Sequence, residues 1–502
     1  MKRGLSELLF LPYYYKLWKR RQIIEKQLEN LCEEPDTDCL LKQASNIAST
    51  MVYNPTGYYC SACLESVFLN AAQQIEDVKC NPINNTVIHV LTQAYVTGGH
   101  SRVVERWIKL RSDIERHSVV VLAQGDVEFP DWLNSAVDAS GGSVYFFNSG
   151  NIIDRARELR LLASKYERII LHTHMDDGTP IIAFGKESFT TPIIVYNHAD
   201  HLFWLGVTIA DIVADLKPSD FTNARRLTNG KYLGIPQIPS IERDYSNVNG
   251  KTYRKELGLK EDGFICVTTA SAYKLNSAGI INFMSFIESL CNRLGVYCLL
   301  IGPSMNEAYW NDLSKRTNGH ILPLGIISDK KLYEKYLLSS DLYLGSFPFM
   351  SFTATMDGVQ CGLPFLQFRF LSTKVNTDIF PEKSELICLS EKDIMSKVKR
   401  MKHDPDYYSY LVKASKEWLT EVSSIDLWKE RLNDLLSVCP KIHGIHKFVN
   451  IYGKDVFSDD QSVLNSFMYN HSAIEYSNVF IRKLAHLWMR FISLYKQLKG
   501  NH

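Results

Sequence analysis

One loop in the second half of the chain carries two hydroxyl residues and an acid at short spacing. The stretch runs from Thr353 through Thr355 to Asp357 and follows an apolar run that ends at Gly345. We expect a helix to begin near Thr353, so that its first backbone N–H groups and the threonine hydroxyls could bind a diphosphate. Asp357, one turn further along, could accept hydrogen bonds from the two hydroxyls of a ribose. The alternative is an ordinary capped helix with Asp357 on its solvated face.

A lysine follows the first apolar run of the same half. Lys274 lies in the polar stretch that comes directly after Phe264–Thr269. A lysine held on such a loop could neutralise a departing diphosphate without a metal ion. The alternative is a surface lysine on a loop, and the presence of both loops in one half of the chain favours the first interpretation.

A glycine pair in the first half is followed by a histidine and an arginine. After the apolar run Val87–Leu91 the chain contains Gly99, His100 and Arg102 at the start of a helical pattern. Gly99 would let the backbone approach a sugar or phosphate closely, and Arg102 could bind phosphates. His100 could deprotonate an acceptor hydroxyl as the catalytic base. The alternative is a glycine turn with a polar helix start.

Two more loops, at 172–177 and 197–204, combine histidine with acids. Both follow apolar runs, at the strand ends where ligand-binding loops of parallel sheets lie. The irregular mixture of histidine and aspartate is a poor metal signature, so we predict no metal here. The candidates for the acceptor side are His174, His198, Asp200, His201 and, as a platform for sugar stacking, Trp204. Hydrogen-bonded structural histidines are the alternative.

Apolar runs that alternate with helical patterns predict two mostly parallel, doubly wound sheets. The predicted strands are Val87–Leu91, Val119–Ala123, Val144–Phe147, Ile169–His172, Ile193–Tyr196, Phe264–Thr269, Val296–Ile301, His320–Leu322 and Leu342–Gly345. A further helix-strand pair is predicted over Thr353–Gln367. A break rich in proline and asparagine falls at about 236–262. The predicted divisions are a helical N-terminal region at 1–85, a first Rossmann-like domain at 86–240, a second at 262–440 and a helical C-terminal segment at 441–502. Two such domains would place an active site in the cleft that their strand ends face.

The second predicted domain resembles the catalytic half of O-GlcNAc transferase and its bacterial relatives, including the HMW1C-like protein glycosyltransferases. The resemblance covers about residues 264–368 and rests on Tyr273-Lys274, Phe347-Pro348, Thr353–Asp357 and Gly362-Leu363-Pro364. It implies that Lys274 contacts the donor diphosphate, that the loop of Thr353 and Thr355 cradles it, and that Asp357 binds the ribose.

The sequence departs from that family at two positions of the phosphate loop. Phe352 stands where the family often has histidine, and Ala354 replaces a threonine. Tetratricopeptide repeats are not found in the sequence. Retaining enzymes of this architecture usually carry an acid at the position that Phe349 occupies, so its absence favours inversion of the sugar.

The resemblance implies the GT-B architecture, with two Rossmann-like doubly wound domains, a helical N-terminal preface and C-terminal helices. The expected reaction is transfer of a sugar from a nucleotide-sugar, with UDP favoured, to a glycan, lipid-linked or protein acceptor. We expect it to be inverting and metal-independent, with no cofactor beyond the nucleotide-sugar substrate. A catalytically silent GT-B subunit that supports a partner transferase and a UDP-sugar epimerase remain the alternatives.

Composition excludes several other classes. The 56 basic and 55 acidic residues nearly cancel, which argues against a general nucleic-acid binder. We find no signal peptide and no apolar run near the roughly 20 residues that span a bilayer, so we predict a cytoplasmic protein. The 11 cysteines are best explained as reduced thiols, although Cys60 and Cys63 leave a zinc site open.

Both ends of the chain mix aromatic and basic residues. Leu8–Arg21 and a stripe between Phe480 and Lys499 are typical of basic amphipathic helices. Such helices can lie on an anionic membrane surface, which would allow peripheral contact with the inner face of a membrane. The alternative is that both helices pack on the protein.

Overall fold

The structure, a computed structural model, describes residues 11–31, 37–96, 99–147, 150–199, 201–215, 232–234, 245, 248–275, 282–369 and 384–447. These residues divide into two compact units, each described by itself below. The first domain contains the described parts of Leu17–Ile238 and Ser423–Ser462. The second domain contains the described parts of Met1–Lys16 and Pro239–Val422.

Thirteen strands and fifteen α-helices occur in the described residues. The strands are β1 (Ile83–Leu91), β2 (Arg116–Val121), β3 (Val144–Phe146), β4 (Tyr166–His172), β5 (Ile193–Asn197), β6 (Ile212–Asp215), β7 (Tyr232–Gly234), β8 (Ile265–Thr269), β9 (Tyr297–Ile301), β10 (Ile321–Gly325), β11 (Leu342–Leu344), β12 (Phe365–Phe368) and β13 (Ile387–Cys388). The helices are α1 (Leu11–Leu31), α2 (Thr37–Tyr53), α3 (Ala62–Ala72), α4 (Gly99–Arg111), α5 (Asp131–Ala139), α6 (Ile152–Ala163), α7 (Thr179–Phe184), α8 (Tyr253–Glu256), α9 (Phe283–Leu294), α10 (Ala308–Arg316), α11 (Lys330–Leu338), α12 (Phe352–Gln360), α13 (Glu391–His403), α14 (Pro405–Val422) and α15 (Ile425–Val438).

The first domain is built on a seven-stranded sheet with the order β3-β2-β1-β4-β5-β6-β7. All of its strand pairs are parallel. The strand order reverses between β1 and β4, and the carboxyl ends of neighbouring strands at such a point form the ligand-binding edge of doubly wound sheets. The loops of His100 and His174 follow these two strands, so they lie at this edge.

The N-terminal helices α1 to α3, which we call the preface, are tied to the sheet-bearing part of the first domain by a buried arginine. Arg160, in α6, is 1% exposed and donates to five backbone carbonyls. The acceptors are the carbonyl oxygens of Ala72, Ile75, Glu76, Ile182 and Ala183. Several of these lie at the C-terminal ends of α3 and α7, where helix carbonyls lack partners within the helix. One guanidinium therefore caps both helices.

A buried carboxylate makes a second link. Glu65, in α3, accepts hydrogen bonds from the backbone N–H groups of Gly206, Val207 and Thr208 and from the Thr208 hydroxyl. Burial raises the pKa of Glu65, although these hydrogen bonds act in the opposite direction. The loop after β5 is thereby held against the preface.

The helix α15 belongs to the first domain. Trp428 is 1% exposed and meets the edge of Trp107 with ring centroids 6.1 Å apart. Beyond this helix, Asp211 accepts hydrogen bonds from His443 and His446. The chain thus passes from the second domain back to the first near Ser423, whereas the sequence-based division ended the second domain at 440. The helix predicted near 460–499 lies outside the described residues.

The second domain is built on a six-stranded sheet with the order β10-β9-β8-β11-β12-β13. Its strands are also paired in parallel, with the reversal between β8 and β11. The helix α12 packs closely on β11, because a Cβ atom at Gly358 would lie 2.5 Å from the ring of Tyr343. That contact places the start of α12 at the carboxyl edge of the sheet.

These two doubly wound parallel sheets confirm the predicted α/β class. None of the helices in the described parts of the chain is both long and apolar enough to cross a membrane. Along the described length of α1, Tyr14, Leu17, Ile24 and Leu31 form a buried stripe, while Trp18 is 39% exposed.

Candidate functional site

The two loops predicted to bind a donor lie side by side in the second domain. Because β8 and β11 pair in parallel, their following loops leave the sheet at the same edge. The N–H of Phe349 donates to the carbonyl of Lys274 over 3.4 Å, and the Thr268 hydroxyl donates to the carbonyl of Leu344 over 2.7 Å. The structure therefore brings the loop of Lys274 into contact with the loop that leads to Thr353.

The ammonium group of Lys274 has no carboxylate partner among the residues that the structure describes. The side chain is half-buried, in the short 3-10 turn Ala272–Leu275. Burial lowers the pKa of Lys274 to about 8. A cation that is desolvated without a counter-charge is costly, and a bound anion would offset that cost.

The helix α12 begins at Phe352, three residues after Phe349, whose N–H contacts the lysine loop. Its N-cap residue, Ser351, makes no capping bond with its side chain, and its own N–H donates to the hydroxyl of Ser346. The first N–H groups of a helix have no acceptor within the helix. Such groups and the helix dipole attract an anion, so the start of α12 is a second electropositive feature at the sheet edge from which the loop of Lys274 also leaves.

The other predicted donor ligands lie deeper in the protein. Thr355 is fully buried and its hydroxyl donates to the carbonyl of Ser351 over 3.2 Å. Asp357 is 2% exposed and accepts a hydrogen bond of 3.4 Å from the hydroxyl of Tyr333. Thr353 is half-buried in the first turn. Of the four residues, Lys274 and Thr353 are therefore the better placed to reach a ligand.

In the first domain, four histidines form a diagonal row on one face of the sheet. His117 in β2, His89 in β1, His172 in β4 and His198 after β5 lie on four neighbouring strands. The register pairs Val87 with His117, and it pairs Leu91 with His172. Each step along the row thus moves one strand across and two residues towards the carboxyl edge, which keeps all four side chains on the same face.

Hydrogen bonds join the four rings, which we call the histidine row. Nδ1 of His117 lies 3.1 Å from Nε2 of His89, and Nδ1 of His89 lies 3.1 Å from Nε2 of His172. Nδ1 of His172 lies 2.9 Å from Nε2 of His198. Burial lowers the pKa of His89, His172 and His198 well below the usual value, so these rings are neutral at pH 7.

His100 lies beside the carboxyl end of this row. Its Nε2–H donates to the backbone carbonyl of His172 over 2.7 Å, and its ring centroid lies 4.2 Å from that of His198. Burial lowers the pKa of His100 to about 4. The ring is therefore neutral at pH 7, and its unprotonated Nδ1 is enclosed without a hydrogen-bond partner.

Other predicted acceptor-side residues have different surroundings. Nε2 of His174 lies 2.8 Å from the hydroxyl of Tyr95, at the same edge as His100. Trp204 is 1% exposed, so its burial argues against the predicted stacking of a sugar on its ring. A cavity of only about 10 Å³ lies beside Trp204 and His174. His201 is half-buried, and Asp200 lies outside the described residues.

The predicted phosphate contacts of the glycine loop find limited support. Gly99 is the exposed first residue of α4. Arg102 already pairs with Glu105 at 2.7 Å, and its guanidinium stacks on the ring of Trp132 at 3.7 Å. Its charge is thus satisfied within α4 and α5, which does not favour a role in binding phosphate.

The sequence analysis missed His89 and His117 as members of a group. The available signal was a histidine in the middle of an otherwise apolar strand, where a polar ring requires a buried partner. Within the described ranges, no group of three or more histidine, cysteine, aspartate or glutamate residues could hold a metal ion.

Several solved structures of glycosyltransferases have a similar architecture. A glycosyltransferase from Rickettsia africae matches with a TM-score of 0.54 and 13% identity, over 71% of this chain and 99% of the other. HepE from Anabaena, in complex with UDP and glucose, matches with a TM-score of 0.52 and 13% identity, over 70% and 99%. Sucrose-phosphate synthase from Thermosynechococcus elongatus matches with a TM-score of 0.52 and 12% identity, over 70% and 98%.

These identities establish the fold alone, and the fold is that of the GT-B glycosyltransferases. No protein-family model and no curated protein matches the sequence.

Proposed function

We propose that this protein is a glycosyltransferase that moves a sugar from a nucleotide-sugar to an acceptor. The observation that carries the proposal is the ammonium of Lys274, desolvated and without a carboxylate among the described residues, on a loop that contacts the segment leading into the N-terminus of α12. A diphosphate is an anion that both features would bind together. HepE, with a similar fold, is bound to UDP-glucose in one of its structures, which supports UDP as the nucleotide.

The donor half of the reaction is assigned to the second domain. Lys274 and the N–H groups at residues 352–354 stabilise the charge that develops on the departing diphosphate, and Thr353 adds a hydroxyl donor. Asp357 remains the proposed ribose ligand, in which case ribose displaces the long contact with Tyr333. Thr355 acts through the packing of the helix start. The transfer is metal-independent and inverting in this proposal, and no cofactor is needed beyond the donor.

The acceptor half is assigned to the carboxyl edge of the first-domain sheet. A neutral histidine there takes the proton of the attacking hydroxyl, and His100 is the candidate that the sequence suggests. His174, His198, Asp200 and His201 are the proposed surroundings of the acceptor. The acceptor is a glycan, a lipid-linked glycan or a protein, with peripheral contact of the basic aromatic ends to a membrane in the lipid-linked case.

The resemblance to O-GlcNAc transferase and the HMW1C-like enzymes leaves hexosyl and N-acetylhexosaminyl donors as the two main classes. The direct test is release of UDP from UDP-glucose, UDP-galactose and UDP-N-acetylglucosamine in the presence of a metal chelator. We expect one donor to be consumed, and Lys274→Met to reduce the rate by at least about 10²-fold through loss of leaving-group stabilisation. Lys413→Met is the matched control, since Lys413 is 77% exposed and pairs only with Glu417 at 3.7 Å.

Two outcomes would replace this proposal. Formation of free sugar and UDP from the donor alone, with no gain on adding acceptors, would favour the epimerase alternative. Absence of turnover with every donor would favour a silent subunit, a reading to which the departures at Phe352 and Ala354 also point.

A further inference from the structure

The histidine row ends on a charged group at the amino edge of the first-domain sheet. The Glu115 carboxylate accepts two hydrogen bonds from Arg111 and one from Arg168, each 3.1 Å long. Burial would raise the pKa of Glu115, but the hydrogen bonds and charges of the two arginines outweigh it, and the pKa is lowered. Glu115 is therefore an ionised, immobilised carboxylate at neutral pH.

The row can adopt only two arrangements of its protons. A neutral imidazole has one N–H and one lone pair, so it donates through one nitrogen and accepts through the other. Each link of the row joins an Nδ1 to an Nε2. Either every Nε2 carries the proton, or every Nδ1 does, because a mixed row would place two donors or two acceptors against each other.

His117 distinguishes the two arrangements. Its Nε2 is enclosed without a hydrogen-bond partner among the described residues, and a carboxylate oxygen of Glu115 lies 3.7 Å away. The negative charge of this carboxylate repels a lone pair on Nε2 and attracts an N–H. The proton of His117 therefore belongs on Nε2, and its Nδ1 accepts from His89.

We propose that the histidine row is a tautomer lock: one end of the row determines which ring nitrogen of every histidine carries the proton. The lock makes His198 the proton acceptor of this protein. The negative charge of Glu115 keeps the proton of His117 on Nε2, and the hydrogen bonds of His89 and His172 impose the same tautomer on each following ring. His198 then donates its Nε2–H to His172 and is left with an unprotonated Nδ1 at the carboxyl edge of the sheet. His117, His89 and His172 are positioning residues, and His198 is the group that meets the substrate hydroxyl.

Access favours His198 over its neighbour His100. Nδ1 of His100 is enclosed, whereas Nδ1 of the half-buried His198 is not among the enclosed atoms and makes no hydrogen bond to the described residues. His100 instead donates to the backbone of His172 and packs against the His198 ring, which fixes both rings in place.

The proton stays on His198 during the reaction. Two arginines outnumber the single carboxylate at the far end, so a positive charge is not favoured there, and Glu115 is a poor final acceptor. The acceptor O–H bond breaks, a new N–H bond forms at Nδ1 of His198, and the oxygen bonds to the sugar carbon as the diphosphate leaves with its bonding electrons. The imidazolium later returns the Nδ1 proton to water, which restores the neutral row. This step rests on the proposed transferase function, whereas the lock itself does not.

The lock can be measured without any substrate. Long-range ¹H–¹⁵N correlation spectra of protein labelled with ¹⁵N-histidine show which ring nitrogen carries the proton. We expect His117, His89, His172 and His198 to be neutral with the proton on Nε2 throughout pH 6.5–8. A proton on Nδ1 of His198 in the unmodified protein would overturn the proposal.

One substitution should move the proton of each remaining ring in the row from Nε2 to Nδ1. His117→Lys places an ammonium, which can only donate, next to Nε2 of His89, so every following ring must move its proton to Nδ1. Arg116→Lys, at the exposed neighbouring position, is the matched control and should keep the original tautomers. A folded His117→Lys protein in which His198 keeps its proton on Nε2 would show that the rings are not coupled. If His117→Lys does not fold, the spectrum of the unmodified protein still decides.

The tautomer lock and the transferase proposal are tested by independent measurements, so either can fail without the other. Binding of UDP to the second domain is measured on the same samples by calorimetry and does not involve the row. Loss of UDP binding with the expected tautomers would reject the transferase step alone, and UDP binding with the wrong tautomers would reject the lock alone.

Discussion

At the scale of single residues, the account depends on polar groups, enclosed or half-buried, that lack a partner among the described residues. Lys274 is a desolvated cation without a carboxylate, and His100 and His198 are neutral imidazoles with an unprotonated nitrogen. In other parts of the described structure buried charges are paired, as with Arg254 and Asp341 at 2.7 Å. Unsatisfied groups of this kind identify positions where a ligand or a proton completes the structure.

Binding of UDP should be coupled to the protonation of Lys274. Burial lowers the pKa of Lys274 to about 8, and a bound diphosphate should raise it again. UDP binding at pH 8.5 is therefore expected to take up a proton, and affinity should fall as pH rises above 8. Calorimetry in two buffers of different ionisation enthalpy measures that uptake. Lys274→Met should abolish the uptake and weaken UDP about 10- to 100-fold, since charge-assisted bonds contribute roughly 1.5–3 kcal/mol. Proton uptake that is unchanged in Lys274→Met would reject this assignment.

The neutral histidines should make the first domain sensitive to acid. An unfolded histidine binds its proton near pH 6.5, whereas burial lowers the pKa of both His100 and His117 to about 4. The unfolded chain thus binds more protons between these values, and stability is lost as pH falls below 6.5. Each such histidine costs up to about 1.4 kcal/mol per pH unit in that window. Thermal melts at pH 7.5 and 5.5 should show a clear loss at 5.5, and an unchanged melting temperature would contradict the buried neutral state.

At the scale of elements, sequence patterns predicted the sheets well because buried parallel strands are nearly continuous apolar runs. The runs at 87–91 and 169–172 lie within observed strands, and the run at 296–301 covers all of β9 and one residue before it. Strands β6, β7 and β13 were not predicted, since they have only four, three and two residues and carry little pattern.

The sites were harder to predict than the strands. The contact between the loop of Lys274 and the segment that leads to α12 follows from the parallel pairing of β8 with β11. The histidine row depends on side-chain register across four strands, and the sequence does not state which residues pair. Burial of Asp357 and Trp204 is likewise a consequence of packing rather than of local pattern.

Removal of the Glu65 carboxylate, which links the preface to the loop after β5, should lower the free energy of unfolding. Glu65→Ala would leave the buried backbone N–H groups of Gly206, Val207 and Thr208 without their hydrogen-bond acceptor. At about 1–3 kcal/mol for each lost partner, the substitution should destabilise the domain by at least about 3 kcal/mol. Urea unfolding measures the difference, with Glu29→Ala on the exposed face of α1 as the control. Equal stability of the two variants would show that this carboxylate is not the link.

The segment after α15 should be released when its anchor is removed. Asp211 binds His443 and His446, and although burial opposes it, these hydrogen bonds lower the pKa of Asp211 to about 2. Asp211→Ala should therefore expose the chain around Lys441 and Lys447 to trypsin, with cleavage there several-fold faster than in the unmodified protein. Mass spectrometry of timed digests identifies the sites. Unchanged cleavage at these lysines would mean that other contacts hold the segment.

At the scale of the whole molecule, the chain joins two doubly wound sheets that each expose a different kind of chemistry at their carboxyl edge. The second domain offers cationic groups that suit a diphosphate, and the first offers neutral histidines that suit a proton transfer. The transferase proposal requires these two kinds of chemistry, one for the donor and one for the acceptor. The fold that the chain shares with known glycosyltransferases agrees with the proposal. The near-zero net charge and the lack of a basic surplus also fit a small-molecule donor better than a nucleic acid.

The measurement that tests the central claim most directly is thermal stabilisation by UDP, GDP, CMP and dTDP in the absence of metal ions. We predict that UDP alone raises the melting temperature, by several degrees at about a hundred times its Kd, because a ligand at that excess adds roughly 2.7 kcal/mol. Lys274→Met should lose the shift and Lys413→Met should keep it. A protein that no nucleotide stabilises, or that all four stabilise equally in both variants, would contradict a UDP-sugar site at Lys274.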